Sequence, residues 1–422
     1  MGRIGEEQAE NSRGSIEQWN MRTEERIEVL RRLVIERMDT SRTMEDAEVM
    51  EVIEEVLEEC SRQEEWSLSQ RQDLARELFH TLRRLDILEE LIQDSEVTEI
   101  MVNGTSHIFY EKKGRLYEWE RHFTSEEKLA DVIQQIVGTG NRMVNELHPI
   151  VDTRLMDGSR VNIVLKPIAI DGTAMSIRRF PERPVTMRQL LSWHSLSEEM
   201  AELLKKLVIA GYNIFVSGGT GSGKTTFLNA LSEFIPKEER IVTIEDSAEL
   251  QICGIPNLVR LESRDVKIEG SEEITIRDLI KSALRMRPNR IIVGECRGAE
   301  ALDVLQAMNT GHSGLSTGHS NSAMDMVSRL ETMVLMGMNI PISAIRGQIA
   351  SGIDIIIHLG RLRDGSRKVL HIAEVLGMEE GQVCLNDLYR FKEQGEENGQ
   401  IQGVFEKKNE LFCKDKLKAA GL

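Results

Sequence analysis

The segment Gly218-Gly219-Thr220-Gly221-Ser222-Gly223-Lys224-Thr225 matches the pattern G-x-x-x-x-G-K-[ST] of a phosphate-binding loop. A short apolar strand at 213–217 precedes it, and Thr225-Thr226-Phe227-Leu228 opens a helix, a context that a chance glycine-rich turn does not explain. The glycines allow a tight turn whose N–H groups face phosphate oxygens, and the helix N-terminus adds partial positive charge. We expect residues 218–226 to bind ATP, with Lys224 on the β- and γ-phosphates and the Thr225 hydroxyl on Mg²⁺.

Acidic residues follow two other apolar runs of this region. Residues 241–244 lead into Glu245-Asp246, and residues 291–294 lead into Glu295. Because ligands of parallel α/β sheets lie beyond the carboxyl ends of the strands, we expect these acids beside the phosphate loop. Glu295 is predicted to activate the attacking water, and Glu245, with Asp246 as its partner, to hold Mg²⁺ or position water. A helix N-cap is the alternative role for each acid.

Two histidines lie in a segment rich in glycine, serine and threonine, residues 310–320. We predict a loop at the same edge of the sheet, in which His312 and His319 sense the γ-phosphate. A structural role is the alternative for each, and their seven-residue separation does not suit a helical metal pair.

Outward from these motifs, the chain from 185 to 422 has the pattern of an α/β domain. Short β-branched runs at 213–216, 241–244, 291–293 and 353–357 alternate with helical stretches near 224–234, 276–286, 299–308 and 324–336. Apolar strands of this kind are typical of a parallel sheet covered by helices on both faces.

The preceding segment, 65–184, has a different pattern. It predicts a helix at 72–92, a hairpin around a type I′ turn at Asn103-Gly104, and a helix at 125–137 with Ser125 as N-cap. Two more strands at 161–165 and 174–177 complete an α+β domain, and Pro181 and Pro184 mark a linker.

Residues 1–64 are mostly charged and form an acidic arm. Within it, Ile27, Leu30, Val34 and Met38 recur at helical spacing, as do several apolar residues of 49–57. A narrow apolar stripe on a charged helix indicates a weak helical arm or a coiled-coil contact, and a mobile arm with helical turns is the alternative.

Composition excludes several classes of protein. The chain has 422 residues, enough for two or three domains, and a formal net charge of −17, which argues against a constitutive nucleic-acid binder. No apolar run approaches the roughly 20 residues of a membrane span, and no signal peptide is recognisable at the N-terminus. Five scattered cysteines fit neither a disulfide framework nor a zinc site, so we expect a reduced, cytoplasmic chain.

Several segments carry a resemblance to a known family, the type II/IV secretion and pilus ATPase superfamily (GspE/PilT-like), and specifically to its tight-adherence (Flp) pilus branch, CpaF. The segments of the second half are 218–225, Thr243-Ile244-Glu245-Asp246, 284–295, Arg297-Gly298, 307–312 and 348–354. Upstream, residues 97–104, 157–162 and 176–180 resemble the family's N-terminal domain. The resemblance extends from about residue 70 to the C-terminus.

The resemblance implies a homohexameric ring whose subunits each have an N-terminal domain hinged to a RecA-like ATPase domain, with ATP bound between the two. It implies that Arg160 and Arg178, with Arg154 and Arg179 as further candidates, close over the γ-phosphate and stabilise transition-state charge. It also implies docking on an integral inner-membrane platform protein. Gly318 stands where the family has a β-branched residue, so we expect the loop carrying His319 to be more mobile.

The function expected from these features is an ATP-hydrolysing motor for Flp or type IV-like pilus assembly, or for type II-like protein secretion. A type IV secretion ATPase that translocates DNA or protein is one alternative, and a slow regulatory nucleotide-binding adaptor is another. A small-molecule P-loop kinase is a third, although the sequence has no recognisable acceptor lid.

Overall fold

A computed structural model describes residues 26–27, 29–38, 44–61, 66–83, 85–112, 114–139, 143–180, 184–264 and 273–422. The chain divides into two compact units, Met1–Glu182 and Arg183–Leu422. Of the predicted proline linker, Pro181 lies outside the described residues. None of the helices in these ranges has the length and apolar character needed to span a bilayer.

The first unit begins with helices that share one apolar cluster: α1 (29–37), α2 (Asp46–Ser61) and α3 (Leu68–Arg83). Most of the apolar residues that recur at helical spacing in the acidic arm are buried there, together with Leu74 and Leu78 of α3, and Met38 and Val52 are partly buried against them. The helical spacing predicted for the arm is therefore confirmed over its described residues, and its stripe is covered by α3.

The single helix predicted over 72–92 is wrong, because the chain breaks between α3 and the short helix α4 (Leu88–Gln93). Asp86 has φ of +51°, a left-handed conformation that a continuous right-handed helix excludes. The two pieces also serve different cores, since Leu78 packs in the helical cluster whereas Leu88 and Leu91 pack against the following sheet.

That sheet has six antiparallel strands in the order β3-β2-β1-β6-β5-β4. Its elements are β1 (Val97–Asn103), β2 (His107–Lys112), β3 (Arg115–Glu118), α5 (Glu126–Thr139), β4 (Ile150–Arg154), β5 (Arg160–Val164) and β6 (Ala174–Arg178). Ser125 caps α5, because the Lys128 N–H donates to its Oγ at 3.3 Å. The α+β prediction is confirmed, and β4 is a strand that the sequence did not reveal.

The predicted hairpin between β1 and β2 is confirmed, but its turn differs from the predicted type I′. Asn103 pairs with His107 as the last residue of β1, so three residues form the loop. Only Gly104 has a positive φ, +65°, whereas a type I′ turn needs positive values at both central residues.

The second unit is built on one nine-stranded sheet in the order β15-β14-β13-β12-β7-β11-β10-β8-β9. Strands β12, β7, β11, β10, β8 and β9 are parallel, and β13 to β15 extend the sheet antiparallel. The strands are β7 (Ile214–Gly218), β8 (Ile241–Glu245), β9 (Leu258–Glu262), β10 (Arg290–Val293), β11 (Ser313–His319), β12 (Ile355–Arg361), β13 (Arg367–Glu379), β14 (Gln382–Glu397) and β15 (Gln400–Lys407).

Helices cover both faces of this sheet. They are α6 (Met187–Ser192), α7 (Glu198–Ile209), α8 (Lys224–Ser232), α9 (Ile276–Ala283), α10 (Ala301–Asn309), α11 (Ala323–Gly337), α12 (Ile342–Gly352) and, at the C-terminus, α13 (Asp415–Ala419). Alternate residues of the strands belong to two separate apolar clusters, one with α7 and α8 and the other with α9 to α12. The α/β prediction for this half is confirmed, and each predicted strand and helix lies within a few residues of an observed one.

The segment predicted as a loop at 310–320 is instead largely β11, which lies between β7 and β10. Its small residues serve close packing: a Cβ on Gly314 would stand 2.7 Å from Met308, and one on Gly318 would stand 2.9 Å from both Met326 and Phe215. The expectation that Gly318 makes this segment mobile is therefore wrong, because the glycine lies in a central strand and its Cβ position is closely packed.

Candidate active site

The phosphate-binding loop connects β7 to α8 at the centre of the parallel strands. Gly223, the residue before α8, has φ of +89°, a conformation that favours glycine. Gly218 ends β7 where a Cβ would stand 2.5 Å from the carbonyl oxygen of Leu359 on β12. The glycines of the motif thus give the loop both its tight turn and its close approach to the neighbouring strand.

Lys224 is the first residue of α8 and is 8% exposed. Its Nζ donates to the carbonyl oxygens of Gly218 at 3.2 Å and Gly219 at 3.1 Å, and lies 3.3 Å from Nδ1 of His319. Burial lowers the pKa of the Lys224 ammonium, an effect that the nearby Glu295 carboxylate opposes. The lysine is therefore a desolvated cation at the rim of the loop, held by acceptors weaker than phosphate oxygens.

His319 ends β11 and stands opposite Gly218 in the register of the sheet. Its Nε2 lies 2.9 Å from Oε1 of Glu295, while its Nδ1 faces Lys224. Burial and, to a smaller extent, the Lys224 charge lower the pKa of His319, which favours the neutral imidazole, while the Glu295 carboxylate opposes the shift. Since an ammonium only donates, these partners assign Nδ1 as the acceptor and Nε2 as the protonated nitrogen.

Glu295 follows β10 and is tied to β11 on both sides. The Cys296 N–H donates to the Thr317 carbonyl at 2.8 Å, and the Thr317 hydroxyl donates to the Gly294 carbonyl at 2.7 Å. One carboxylate oxygen faces His319, and the other accepts from Arg297 at 2.6 Å. Lys224, His319 and Glu295 therefore form a continuous run of groups along one side of the phosphate loop.

Glu245 reaches the same edge but is largely engaged with the backbone. Its side chain is buried, one oxygen accepts from the N–H groups of Glu249 and Leu250, and burial raises its pKa. A Cβ on Gly294 would stand 2.8 Å from Glu245 Cγ, so the acid packs directly against the residue before Glu295. Asp246 points outward and accepts from Ser263 Oγ at 2.9 Å.

These residues fit a magnesium ion held mainly through the nucleotide. No group of three or more His, Cys, Asp or Glu side chains within the described ranges is arranged to hold a metal. The second oxygen of Glu245 is buried without a hydrogen-bond partner, and Thr225 carries its hydroxyl on the first turn of α8. Mg²⁺ typically takes only one or two oxygen ligands from the protein when phosphates and water molecules complete its coordination shell.

His312 does not join this group within its own unit, contrary to the expectation that both histidines face one edge. It lies just before β11, whereas His319 ends that strand, so the strand's length, roughly 20 Å, separates them. His312 Nδ1 instead lies 3.3 Å from the Thr310 hydroxyl. Sequence alone did not predict this separation, because the small residues of 310–320 were interpreted as a loop and not as an extended strand.

A cavity of about 460 Å³ opens beside the loop, on the side where β11 ends and α11 begins. The polar residues that α11 contributes to this cavity were not among the predicted site residues. The only feature of the sequence that could have indicated them is that they follow His319 closely along the chain. The lining consists of Gly219, Thr220, His319, Ser320, Asn321, Asp325, Ser328, Arg329 and Thr332.

In the first unit, Arg154, Arg160 and Arg178 stand opposite one another across β4, β5 and β6. Directly opposed residues project to the same face, and the alternate residues of these strands are buried in the apolar core, so the arginines face away from it. Glu99 continues the row on β1 and pairs with Arg178 at 3.1 Å. Arg179 is different, because it donates to backbone carbonyls at the start of β1.

A buried histidine lies on the strand next to β7. His358 Nδ1 is 3.0 Å from the hydroxyl of Ser217, the residue before the loop. Burial, with a smaller contribution from His371, lowers the pKa of His358 to about 4, while Asp325 opposes the shift. The folded protein therefore keeps this imidazole neutral where an unfolded chain protonates it.

This shift predicts a pH dependence of stability. Between pH 6.5 and about 4 the unfolded chain binds the extra proton, so the free energy of unfolding falls as pH falls, by up to about 3 kcal/mol. His358→Gln is expected to remove that part of the slope in urea unfolding, whereas His122→Gln, at an exposed position, serves as the control. An unchanged slope in His358→Gln would contradict the assignment.

Comparisons with known proteins identify the family of this chain. A family model described as "Type II/IV secretion system protein" matches residues 81–399. A candidate conjugal transfer protein of Mycobacterium tuberculosis is 34% identical over 304 residues, which cover 70% of this chain and 86% of that protein. Type IV secretion system protein PtlH of Bordetella pertussis is 32% identical over 304 residues, 66% of this chain and 89% of PtlH.

The fold also matches a solved structure. The crystal structure of the pilus retraction motor PilT with bound ADP aligns with a TM-score of 0.51 and 21% identity, covering 72% of this chain and 83% of PilT. The second unit therefore has the RecA-like fold expected from the sequence, preceded by an α+β N-terminal unit.

Proposed function

Because the chain belongs to the type II/IV secretion system protein family, we propose that it is an ATP-hydrolysing motor that works as a homohexamer at an inner-membrane platform. Within the family we propose the tight-adherence pilus branch, on the sequence segments quoted above. The observation that carries the proposal is the run from Lys224 through His319 to Glu295 beside a complete phosphate-binding loop.

The contacts of these residues support the following roles in the proposed hydrolysis. Phosphate oxygens are stronger acceptors than the carbonyls that Lys224 contacts, so a bound triphosphate draws the ammonium to its β- and γ-oxygens. His319 contacts both Lys224 and Glu295. A movement of the Lys224 ammonium toward the phosphates therefore changes the contacts of His319, and through it those of the Glu295 carboxylate. Glu295 then orients the attacking water and accepts its proton. The chemistry that Mg²⁺ supplies when bound is charge neutralisation on the phosphates, with Thr225 and Glu245 as the residues to hold it.

Arg160 and Arg178 are proposed to supply further charge stabilisation to the γ-phosphate of their own or a neighbouring subunit. Their shared face on the first unit supports a joint role. Arg160→Ala or Arg178→Ala is expected to lower kcat roughly 10³-fold, the lower end of what such arginines contribute to phosphoryl transfer. Phosphate release is the measurement, and Arg115→Ala, on β3 at the far edge of the same sheet, is the control.

Mixing the variants distinguishes the two subunits that could donate the arginines. If Arg160→Ala and Lys224→Ala proteins regain activity when mixed, the arginine acts on a neighbour's nucleotide. No regain places it in its own subunit, and full activity of each arginine variant alone would contradict the role.

The net charge of −17 supports the proposed location of the motor. Membrane proteins concentrate lysine and arginine in their cytoplasmic loops, which offer complementary charge to an acidic docking partner. We therefore propose an integral platform protein with basic cytoplasmic loops as the partner, and the cytoplasmic face of the inner membrane as the site of action.

A type IV secretion ATPase is the second candidate. PtlH is named as a type IV secretion system protein, and the mycobacterial relative is named as a conjugal transfer protein. Phosphate release from Mg-ATP, measured alone and with single- or double-stranded DNA, distinguishes the candidates. The proposed motor hydrolyses ATP without stimulation by nucleic acid, whereas a DNA-translocating ATPase is stimulated. Protein that binds ATP but does not turn it over would overturn the motor and favour a regulatory adaptor.

A further inference from the structure

Two arginines lie against the phosphate loop from the side opposite His319. In the sheet, β7 has β11 on one side and β12 on the other, so the loop after β7 is flanked by both. Arg361 ends β12 and stands opposite Arg367, the first residue of β13. The hairpin between these strands thus presents two guanidinium groups at one flank of the loop.

Both arginines approach the glycines that shape the loop. Arg367 Nε donates to the carbonyl oxygen of Gly221 at 2.8 Å, and its Cδ lies 3.3 Å from where a Cβ of Gly223 would stand. The NH1 of Arg361 lies 3.8 Å from the corresponding point on Gly221. The glycine at 223 therefore also leaves room for Arg367 to lie along the loop.

The β12–β13 hairpin is held by hydrogen bonds to other parts of the second unit. The position of its two arginines beside the phosphate loop is therefore fixed by the fold. Asp364, at its turn, accepts from the Ile401 N–H at 2.8 Å and from Ser366, and the Val369 N–H donates to the Ser195 carbonyl at 2.8 Å. Arg363, between the two loop arginines, turns the other way and pairs with Glu393 and Glu396 on β14.

We propose that Arg361 and Arg367 bind and position the nucleotide from within the same unit, an inference that rests on the proposed ATPase function. Arg367 holds the Gly221 carbonyl on the outer side of the loop, which fixes the adjoining peptide planes, and both guanidinium groups add positive charge beside the phosphates. His319 and Glu295 are assigned to the γ-phosphate and the attacking water, and the two arginines lie on the opposite flank of the loop. Their proposed ligand is therefore the diphosphate that ATP and ADP share. They are positioning and binding residues, not groups that react.

The proposal predicts a loss of affinity with little loss of turnover. Arg361→Ala and Arg367→Ala are each expected to raise the Kd for Mg-ADP and the KM for ATP roughly ten-fold or more, the size of a lost charge-assisted contact. We expect kcat at saturating ATP to change less than about three-fold. Titration calorimetry with Mg-ADP gives the Kd, and phosphate release gives KM and kcat.

Arg363→Ala is the matched control, because it removes the same charge from the same hairpin without facing the loop. It is expected to bind Mg-ADP as the wild type does. Arg367→Lys, which keeps the charge but not the planar fork, is expected to recover part of the affinity.

The outcomes separate this proposal from the function on which it rests. Wild-type affinity for Mg-ADP in both alanine variants would overturn the role of the arginines while leaving hydrolysis intact. A wild-type protein that binds Mg-ADP but does not hydrolyse ATP would overturn the proposed function instead. If Arg367→Ala does not fold, Arg361→Ala and Arg367→Lys decide: weaker binding supports the role, and unchanged binding contradicts it.

Discussion

Replacing Glu295 by glutamine is expected to lower kcat for ATP hydrolysis roughly 10²–10⁴-fold while leaving ATP bound, the usual effect of removing a general base. The amide keeps the shape of the side chain and its place beside His319, whose Nε2 lies 2.9 Å from Oε1 of Glu295. It cannot take a proton from water, so hydrolysis slows while ATP binding is kept. Phosphate release gives the rate, and filter retention of labelled ATP shows the trapped nucleotide.

Glu262→Gln is the control for this variant. Glu262 ends β9, next to the strand that ends in Glu245, and so lies at the same edge of the sheet but on its outermost strand. It is expected to keep wild-type turnover. Full turnover by the Glu295→Gln protein would remove Glu295 from its role as the base.

Lys224→Ala is expected to abolish turnover, with kcat/KM reduced by more than about a thousand-fold. The lysine is a desolvated cation aimed at the loop, so its loss removes both ground-state binding and charge stabilisation of the transition state. Phosphate release and Mg-ATP affinity are the measurements, with Lys237→Ala as the control and thermal unfolding to confirm folding.

The same variant tests the contact with His319. Because the Lys224 charge helps to lower the pKa of His319, removing it is expected to raise that pKa toward the ordinary value. NMR titration of the imidazole measures it. An unchanged pKa together with wild-type turnover would contradict the run of groups from Lys224 to Glu295.

The parts of the fold that were predictable from sequence are those with strong local patterns. The phosphate loop is defined by glycine spacing and by its strand and helix, and β8 and β10 are short β-branched runs that end in acids. Both patterns depend on local backbone geometry, which the sequence expresses directly.

Other parts depend on contacts that local patterns do not show. The sequence of strand β11 resembles that of a loop because it is rich in glycine and serine. In the structure its glycines allow Met308 and Met326 to pack closely against the strand and do not form turns. The helix at 72–92 has continuous periodicity, yet Asp86 interrupts it where two cores meet.

The candidate site shows the same division. The phosphate-loop motif identified Lys224, and the acids that follow two apolar runs identified Glu245 and Glu295. The hydrogen bond that Glu245 accepts from the Glu249 N–H is a tertiary feature that neither pattern shows. Arg367 reaches the Gly221 carbonyl across 146 residues of chain, a separation that no motif bridges. Tertiary pairing of β12 with β7 brings them together.

We propose above all that this chain hydrolyses ATP as a ring. Steady-state phosphate release measured across a size-exclusion profile tests it most directly. We expect magnesium-dependent activity that is confined to a hexamer-sized peak and absent from the Lys224→Ala protein. A fully active monomer, or a hexamer that binds ATP and releases no phosphate, would contradict it.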